Sequence, residues 1–552
     1  MKKIKVFGCA GTGKTTFIIT QIEALIKDGW NIDDIIYCTF TKAGAREGAE
    51  RMVKKFSLSS KPRFFSTIHS ICYQLLGLHK QNVVTEYDRQ TFANEIGEEY
   101  KILSKVDETD EPTTFFSSPD DEWKKLNIIM HFDERVRNAH QKRITEIDEA
   151  FADRLLIDTW GYYSHTKYKP KDFTIKGLQN TLALWEKWKE AHNKLDFTDM
   201  LLLTLREQLI PQGKGMFIDE CQDLTPLQHS ITLMWERGKK LVLKCGDDDQ
   251  TIYDWAGASP RFLIEERADE TIVLPISYRV PSIIRKFTED FIAQNIVRQN
   301  KKWTSAKEGG FVGFTNRPLE QLRMNKKTLM LFRTNYLAIQ FRDKLIEKGI
   351  PFKMTRGGQV WTDRLVNILN ILCKKLEPSM TLNDEALRKF LLEIPAVYLA
   401  RGVKTKLKTA NEDDMPKTFA DATYGASKDL WVLVEDPQAL ITLLCCRIKS
   451  KVQQKALRMR LPIGKIDGFG LDIGTIHSRK GSEAEDVFVF TELSKRILQH
   501  LHQGKSSEIE SERRVFYVGM SRPKERLWIV PAMYSARFLF PTSLWGRNFG
   551  QP

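Results

Sequence analysis

A glycine-rich segment near the start of the sequence has the residue types and spacing that bind phosphate. It follows an apolar run ending at Phe7 and consists of Gly8, Cys9, Ala10, Gly11, Thr12, Gly13, Lys14, Thr15 and Thr16. Glycines let successive backbone N–H groups turn toward phosphate oxygens, and the amino terminus of a following helix adds a favourable dipole. In this P-loop pattern Lys14 neutralises the β- and γ-phosphates and Thr15 offers its hydroxyl to Mg²⁺. The segment predicts a nucleoside triphosphate site.

Two carboxylates follow a second apolar run, about 200 residues later. Phe217 and Ile218 are followed directly by Asp219 and Glu220. In P-loop enzymes an acid at the end of such a strand holds Mg²⁺, and a neighbouring acid can orient the attacking water. We assign Asp219 to the metal and Glu220 to the water.

Phosphoryl transfer also requires positive charge around the oxygens that develop charge. Two arginines, Arg279 and Arg522, lie in segments where a second α/β unit could supply that charge. Residue type alone favours an exposed surface position for both, because arginine is mostly exposed.

The elements that would position these residues alternate between strand and helix. Apolar residues recur at helical spacing after Lys14 and over residues 43–55. Short apolar runs typical of strands occur at residues 4–7, 35–40, 216–218, 241–245, 271–274, 328–332, 472–476, 487–490 and 527–530. This pattern predicts an α/β fold with parallel sheets flanked by helices. Residues 80–195 and 373–465 instead have a mostly helical pattern, and residues 107–122 form an acidic, proline-containing segment within the first of them.

Composition excludes several classes of protein. The chain has 552 residues, which predicts three or four domains, and no apolar run is long enough to span a membrane. Its eight cysteines include no C-x-x-C pair, which argues against a zinc site or a disulfide framework and favours a reducing cytoplasmic compartment. The 85 Lys and Arg residues exceed the 71 Asp and Glu residues, and a net charge of +14 is compatible with a polyanionic partner.

Taken together, the motifs resemble those of superfamily 1 helicases of the UvrD/Rep-like kind. The most specific are DECQD at residues 219–223 and GDDDQTIYDW at residues 246–255. The full resemblance covers nearly the whole chain and is carried, in the family's order, by residues 8–15, 39–43, 66–70, 196–201, 219–223, 246–255, 278–279, 475–483 and 512–522. It implies an ATP-dependent enzyme that acts on DNA.

The resemblance also implies roles for individual residues at the nucleotide. Gln250 would sense the γ-phosphate, and Arg279 and Arg522 would contact it from a second lobe. Tyr278 would stack on the adenine, while Gly481 and Glu483 would lie near phosphate and ribose.

A second set of residues would contact nucleic acid. Phe40, Tyr253 and Trp255 would stack on the bases of a single strand, although a lone aromatic residue is more often part of a core. The other members of the expected nucleic-acid set are Thr67, His69 and His477.

The resemblance implies two RecA-like P-loop NTPase lobes, each with a mostly helical insertion. Lobe 1A would comprise residues 1–79 and 196–276, with insertion 1B at residues 80–195. Lobe 2A would comprise residues 277–372 and 466–552, with a reduced 2B-like insertion at residues 373–465. A run of basic residues at 447–465 lies at the end of that insertion and contains no acid.

We therefore expect an ATP- and Mg²⁺-dependent helicase that moves 3′→5′ on single-stranded DNA and acts at single-strand/duplex junctions. The polarity comes from the resemblance alone. Seven residues precede Gly8, so we expect no upstream glutamine motif for adenine, which leaves the preference for ATP open. The alternatives are an RNA-directed motor, the motor subunit of a nuclease complex, and a nucleotide-gated clamp that does not unwind. The sequence does not distinguish a pathway of repair, replication or recombination from the life cycle of a virus or plasmid.

Overall fold

The computed structural model describes residues 1–40, 42–101, 124–159, 168–323, 325–354, 359–374, 376–382, 384–409, 416–493, 497–498, 501 and 506–531. Within these ranges the side chains of residues 42, 43, 255, 409 and 437 are not described, and the predicted acidic segment at 107–122 lies outside them. The chain forms two compact units. The first comprises residues 1–317, 479–483 and those from 489 onward, and the second comprises residues 318–478 and 484–488. The domain boundaries expected from the resemblance stay a prediction.

A six-stranded parallel sheet forms the centre of the first unit. Its strands are β1 (Lys2–Gly8), β2 (Ile35–Thr39), β3 (Phe65–Thr67), β4 (Gly215–Asp219), β5 (Leu241–Gly246) and β6 (Glu270–Leu274). They lie in the order β3-β2-β4-β5-β1-β6, and every pair is parallel. All residues of β2 and β4 are buried, as expected for parallel strands covered on both faces.

Helices cover both faces of this sheet, and alternate strand residues contribute to the two cores. Ile35 and Tyr37 pack with one cluster, whereas Ile36 and Cys38 pack with the other. The helices of this part of the first unit are α1 (Lys14–Lys27), α2 (Lys42–Phe56), α3 (Ile68–Leu75), α4 (Glu86–Glu95), α5 (Lys125–His140), α6 (Glu149–Thr159), α7 (Ile175–Ala191), α8 (Phe197–Arg206), α9 (Pro226–Trp235), α10 (Arg261–Ile264) and α11 (Ser282–Ile292). The described part of residues 80–195 is helical, which confirms that prediction.

A buried ionic cluster attaches α5 to the start of α8. Arg137 is 2% exposed, and its guanidinium contacts Asp133 at 2.6 Å and Asp196 and Asp199 at 2.9 Å. Asp196 also caps α8, accepting a hydrogen bond from the Asp199 N–H at 2.8 Å. Lys189 contacts both of these aspartates. Buried charges persist only when they are paired and hydrogen-bonded, so these contacts hold the helical insertion against the first sheet's helices.

Three short strands follow in the first unit, namely β7 (Ile276–Ser277), β8 (Thr304–Ser305) and β9 (Phe311–Phe314). The second unit contains β10 (Thr328–Phe332), β11 (Lys353–Met354) and β12 (Leu471–Thr475), in the parallel order β11-β12-β10. Its helices are α12 (Asn335–Glu347), α13 (Asp363–Leu372), α14 (Glu385–Glu393), α15 (Val403–Thr409), α16 (Phe419–Thr423), α17 (Trp431–Glu435), α18 (Pro437–Cys445) and α19 (Lys451–Arg460). The helical prediction for residues 373–465 is thus confirmed in the described residues.

Part of the basic run at residues 447–465 is held by the second unit itself. Lys455 pairs with Glu347 at 2.9 Å, and Arg460 donates to the Gly349 carbonyl at 3.0 Å. Whether the rest of the run meets DNA stays a prediction.

The chain then continues through β13 (Ala484–Phe490), α20 (Ser506–Met520) and β14 (Pro523–Val530). In the first unit β14 pairs in parallel with β9, with Arg526 opposite Phe311. The predicted strands at 328–332, 472–476, 487–490 and 527–530 are confirmed to within a few residues. Among the described helices none has the length and apolar character needed to cross a membrane.

Replacing Arg137 with Met is expected to weaken the first unit strongly, because three buried aspartates lose their shared partner. Breaking a buried ion pair from one side costs about 3–5 kcal/mol. Amide hydrogen exchange in α5 and α8 measures the effect locally.

The matched control is Arg206→Met, which removes an exposed arginine that pairs with Glu146 at 2.7 Å. An exposed pair of this kind contributes about 0–1 kcal/mol. Equal losses of protection in the two variants would contradict the importance of the buried cluster.

Candidate functional site

The residues predicted to do chemistry lie at one edge of the first sheet. Because its strands are parallel, their carboxyl ends meet at the same edge, which is where ligands bind in such sheets. The glycine-rich loop follows β1, Asp219 ends β4, and the turn that leads to Gln250 follows β5. Arg279 follows β6 and β7. The fold therefore brings together segments that are far apart in sequence.

The glycine-rich loop packs directly against the segment that carries Arg279. Gly11 has a φ of 75°, and a Cβ added there would lie 2.5 Å from the Cβ of Arg279. Tyr278 donates its N–H to the Gly11 carbonyl at 2.9 Å, and Ser277 donates its hydroxyl to the Ala10 carbonyl at 2.7 Å. Only glycine combines this backbone conformation with so close an approach.

Gly13 is the N-cap residue of α1 and leaves the first-turn N–H groups without a side-chain cap. It has a φ of 77° and, as glycine, carries no capping group. The first N–H groups of a helix have no partner within the helix, and its dipole favours negative charge. This is the arrangement that a phosphate requires.

Thr15 and Asp219 form an oxygen pair that suits a divalent cation. The Thr15 hydroxyl donates to Oδ2 of Asp219 at 2.6 Å, and the Tyr37 hydroxyl lies 3.4 Å from the same oxygen. Burial, followed by the negative charge of Glu220, raises the pKa of Asp219 to about 6. Mg²⁺ prefers hard oxygen ligands of this type, so the two side chains fit the expected ion.

Glu220 and Lys14 form the charged centre of the site. Burial works against ionisation of Glu220, but Lys14 and then Lys480 outweigh it and lower the pKa of Glu220 to about 2. Burial likewise opposes the charge of Lys14, yet Glu220 and Asp247 raise the pKa of Lys14 above its usual value. Both groups are therefore charged at neutral pH. Glu220 lies in the left-handed region, with a φ of 56°, a conformation often found at functional sites.

A hydrogen-bonded chain connects the acidic pair to Arg522. Gln222 donates to Oε2 of Glu220 at 2.5 Å and accepts the Asp247 N–H at 2.9 Å. Gln250 donates to Oδ2 of Asp247 at 2.7 Å, and its Oε1 accepts from Arg522 at 2.7 Å. Burial and then the charge of Arg279 lower the pKa of Arg522 to about 9.

Lys480 is a further member of the site. Its ammonium pairs with Asp223, donates to the Gln250 carbonyl at 2.8 Å and lies 5.2 Å from the ring centroid of Tyr253. Lys480 and Gln222 both stand inside segments that carry the helicase resemblance, but sequence reasoning assigned neither of them a role. The sequence signal that could have indicated a role for Lys480 and Gln222 is that each lies within a few residues of positions to which a role was assigned.

The remaining nucleotide residues are placed as follows. Arg279 lies 3.8 Å from Glu483, and burial lowers the pKa of Arg279. Lys524 also pairs with Glu483. Tyr278 is 63% exposed, so its ring is accessible for stacking. Gly481 has a φ of 86° and open space where a Cβ would be.

The residues expected to contact nucleic acid do not form one exposed surface. Phe40 and Tyr253 are 2% and 1% exposed, and their ring centroids lie 5.1 Å apart. Neither ring can stack on a base as it lies, so this role stays a prediction that requires their exposure. The side chain of Trp255 lies outside the described residues.

The three other residues expected to contact nucleic acid lie at separate places in the structure. Thr67 caps α3 by accepting the Ser70 N–H at 3.3 Å. The His69 ring lies 6.0 Å from the half-exposed ring of Phe197, edge to face. His477 is half-buried and belongs to the second unit.

Comparison with known proteins gives the same family for both ends of the chain. Residues 1–270 match the UvrD/REP helicase N-terminal domain, and residues 457–534 match the UvrD-like helicase C-terminal domain. The two matches together cover more than half of the chain.

Individual relatives are similar over most of their length. The chain is 24% identical to a probable DNA helicase II homolog of Mycoplasma capricolum, with 96% of this chain and 82% of the relative covered. It is 23% identical to the ATP-dependent DNA helicase Rep of Buchnera aphidicola, with 94% and 89% covered. It is 24% identical to the ATP-dependent DNA helicase PcrA of Staphylococcus aureus, with 96% and 81% covered.

Replacing Gly11 with Ala is expected to abolish nucleotide binding, because the new methyl group would displace the Ser277–Arg279 segment. Titration with a fluorescent ATP analogue measures the binding. Gly29→Ala is the matched control, since Gly29 also has a positive φ, 89°, but open space around a Cβ. Both variants carry a left-handed alanine, which costs about 1–2 kcal/mol, so only the contact distinguishes them. Equal affinities in the two variants would show that nucleotide binding does not depend on this close packing of the loop against the arginine segment.

Proposed function

We propose that this chain is an ATP-driven translocase that moves 3′→5′ along single-stranded DNA and unwinds duplex DNA at junctions. The premise is that the chain belongs to the UvrD/Rep-like family of superfamily 1 DNA helicases. The chain is a DNA helicase that uses ATP. The direction of travel, the use of Mg²⁺ and the preference for junctions are the finer parts of the proposal.

The observation that carries the proposal is the joined arrangement of the phosphate-binding and charge-supplying groups. Lys14, Glu220, Gln250 and Arg522 come from four separate segments, and Gln250 and Arg522 are hydrogen-bonded at 2.7 Å. Phosphoryl transfer depends mainly on positioning and on electrostatic stabilisation of the developing charge. These groups supply both requirements at one edge of the sheet.

Each residue has a defined part in the proposed reaction. Thr15 and Asp219 would hold Mg²⁺, which supplies charge to the phosphates when bound. Glu220, with a pKa of about 2, is ionised at neutral pH and can orient the attacking water. Lys14 neutralises phosphate charge, and Arg279 and Arg522 stabilise the charge that develops during transfer.

The contacts of Gln250 support coupling between ATP and DNA. The same short segment carries Gln250, which bonds to Arg522, and Tyr253, which lies beneath the ammonium of Lys480. A change at the phosphates that moves Gln250 or Lys480 would alter the surroundings of Tyr253. ATP-dependent change in the affinity for a strand is what converts hydrolysis into directed movement.

Strand displacement tests the proposal directly. The protein is expected to unwind a duplex with a 3′ single-stranded tail, in the presence of Mg²⁺ and ATP, and to leave a 5′-tailed duplex intact. Unwinding of the corresponding RNA duplexes and the rate of ATP hydrolysis are measured in parallel. Displacement of only the 5′-tailed duplex would overturn the polarity, whereas hydrolysis with no displacement would favour a motor that needs a partner. Binding with neither hydrolysis nor displacement would favour a clamp.

Within this assay Glu220→Gln is expected to bind ATP normally and to hydrolyse it about 10²–10⁴-fold more slowly, because the amide keeps the size and loses the charge. Unwinding should fall in parallel. Glu385→Gln, which changes an exposed glutamate in the second unit, is the control and should behave as the parent. Loss of ATP binding by Glu220→Gln would contradict the assignment of the attacking water to this residue.

Trp255→Ala tests the proposed nucleic-acid contact. If the indole stacks on a base, single-strand binding should weaken by about 1–3 kcal/mol, and DNA-stimulated hydrolysis should fall more than basal hydrolysis. Fluorescence anisotropy with labelled single-stranded DNA measures the affinity.

Trp235→Phe is the comparison variant, because Trp235 is fully buried and donates its indole N–H to the Leu209 carbonyl at 2.9 Å. It should lower the melting temperature without changing affinity per folded molecule. The same behaviour in Trp255→Ala would overturn the stacking role.

A further inference from the structure

The turn before Gln250 contains three buried aspartates whose charge is shared with a lysine. Oxygens of Asp247, Asp248 and Asp249 lie within 4.8 Å of one another, as the ligands of a cation would. The ammonium of Lys301 lies among them, at 2.8, 2.5 and 2.8 Å from the three carboxylates in that order. The side chain of Lys301 is 0% exposed. The cation that this acidic cluster holds is therefore a lysine of the chain itself.

Lys301 remains charged in this environment. Burial works against its ammonium form, but the charges of Asp247, Asp248 and Asp249 outweigh burial and hold the pKa of Lys301 well above its usual value. A buried lysine that stays charged provides a fixed anchor for the carboxylates around it.

Lys301 is the last residue of a segment, residues 295–301, that we call the strap. The second half of the strap binds the acidic turn, which comprises residues 247–249. Arg298 forms two parallel hydrogen bonds to Asp249, at 3.0 and 2.7 Å. The Gln299 N–H donates to Oδ2 of Asp248 at 2.7 Å. Each of the three aspartates is thus held from the strap.

The first half of the strap binds α20. Glu510 accepts the N–H groups of Ile296 and Val297 at 2.9 and 3.3 Å, and Asn295 donates to the Glu510 carbonyl at 2.9 Å. Arg514 donates to the Val297 carbonyl at 2.6 Å. Glu510 and Arg514 are 5% and 3% exposed, so these bonds are shielded from solvent.

The two halves of the strap thus hold the two partners of one hydrogen bond. The acidic turn leads to Gln250, and α20 ends at Met520, just before Arg522. Within the described residues Lys301 is the strap residue that contacts Asp247, and Asp247 accepts from the Gln250 amide at 2.7 Å. Gln250 in turn accepts from Arg522.

We infer that Lys301 is a positioning residue for phosphoryl transfer, which anchors Asp247 so that the Gln250 amide faces Arg522. The inference rests on the proposed function, since it takes Gln250 and Arg522 as groups that act on the γ-phosphate. Lys301 touches neither of them. It acts through Asp247, by setting which oxygen receives the Gln250 amide.

The variant Lys301→Met alone would leave three buried carboxylates with one cation fewer, so it is combined with Asp248→Asn to restore the charge balance. Asp248 has no contact with Gln250 through its side chain among the described bonds. The double variant therefore removes the anchor of Asp247 and keeps the net charge of the cluster.

The matched control is Arg298→Met with Asp249→Asn. It removes one cation and one carboxylate from the same strap and turn, and it leaves the contact between Lys301 and Asp247 in place. A purely structural role of the strap predicts the same behaviour for both double variants.

DNA-stimulated hydrolysis is measured as kcat and KM for both double variants, beside their melting temperatures. Lys301→Met with Asp248→Asn is expected to lower kcat about 10- to 100-fold with KM within about threefold of the parent, as expected when catalytic groups are misplaced and ground-state binding is retained. The Arg298 control should keep kcat within about threefold. Equal kcat values in the two double variants would overturn the inference.

A double-mutant cycle separates Lys301 from a general loss of stability. In a Gln250→Ala background, the Lys301 and Asp248 changes should produce no further fall in kcat, because the group they position is already missing. Full additivity would overturn the inference. A parent protein that does not hydrolyse ATP would instead overturn the proposed function, so the two failures are distinguishable.

Discussion

Charge buried at the carboxyl edge of the first sheet is the constraint on which the site depends. Asp219, Asp247, Lys301 and Arg522 are each less than 4% exposed. An unpaired buried charge costs several kcal/mol, so each must find a partner from another segment. The partners are distant in sequence, as with Thr15 and Asp219 or Gln250 and Arg522, which are 204 and 272 residues apart. Satisfying the charges therefore also sets how the loops after separate strands lie relative to one another.

Because the buried polar groups at this edge already have partners, a ligand that binds here must replace existing hydrogen bonds. Lys14 donates to the Gly8 carbonyl at 3.2 Å, and the Thr15 hydroxyl donates to Asp219. Phosphate and Mg²⁺ would replace these hydrogen bonds. The free energy gained on ligand binding is therefore smaller than the number of new contacts suggests. An exchange of this kind suits an enzyme that must release its product in every cycle.

Local patterns in the sequence predicted the strands, the glycine-rich loop and the acidic pair, because spacing and periodicity act over a few residues. The strand after which Asp219 stands is a short apolar run, and the structure ends β4 at that residue. Lys301 had no such signal. Its partners lie more than 50 residues away along the chain, and an Asn-Lys-Lys stretch is ordinarily a solvated surface.

Aromatic residues show a different limit of sequence reasoning. A ring that stacks on a base and a ring in a core both bury apolar area, so residue type does not distinguish them. The family resemblance implied a nucleic-acid role for Phe40 and Tyr253, but the structure packs their rings against each other. Lys480 lies over the Tyr253 ring and comes from a segment more than 200 residues away, so the local sequence does not reveal this contact.

The chemistry of Gln250 explains why an amide stands where these networks meet. Its side chain donates to Asp247 and accepts from Arg522, so it must offer a donor and an acceptor at once. A glutamate would accept from Arg522 but repel Asp247, and a lysine would bind Asp247 but repel Arg522. A neutral amide serves both partners, and glutamine has one methylene more than asparagine to reach them. The Asp247 carboxylate, which Lys301 anchors, and the Arg522 guanidinium, which directly precedes β14, are thereby joined through a side chain that carries no charge.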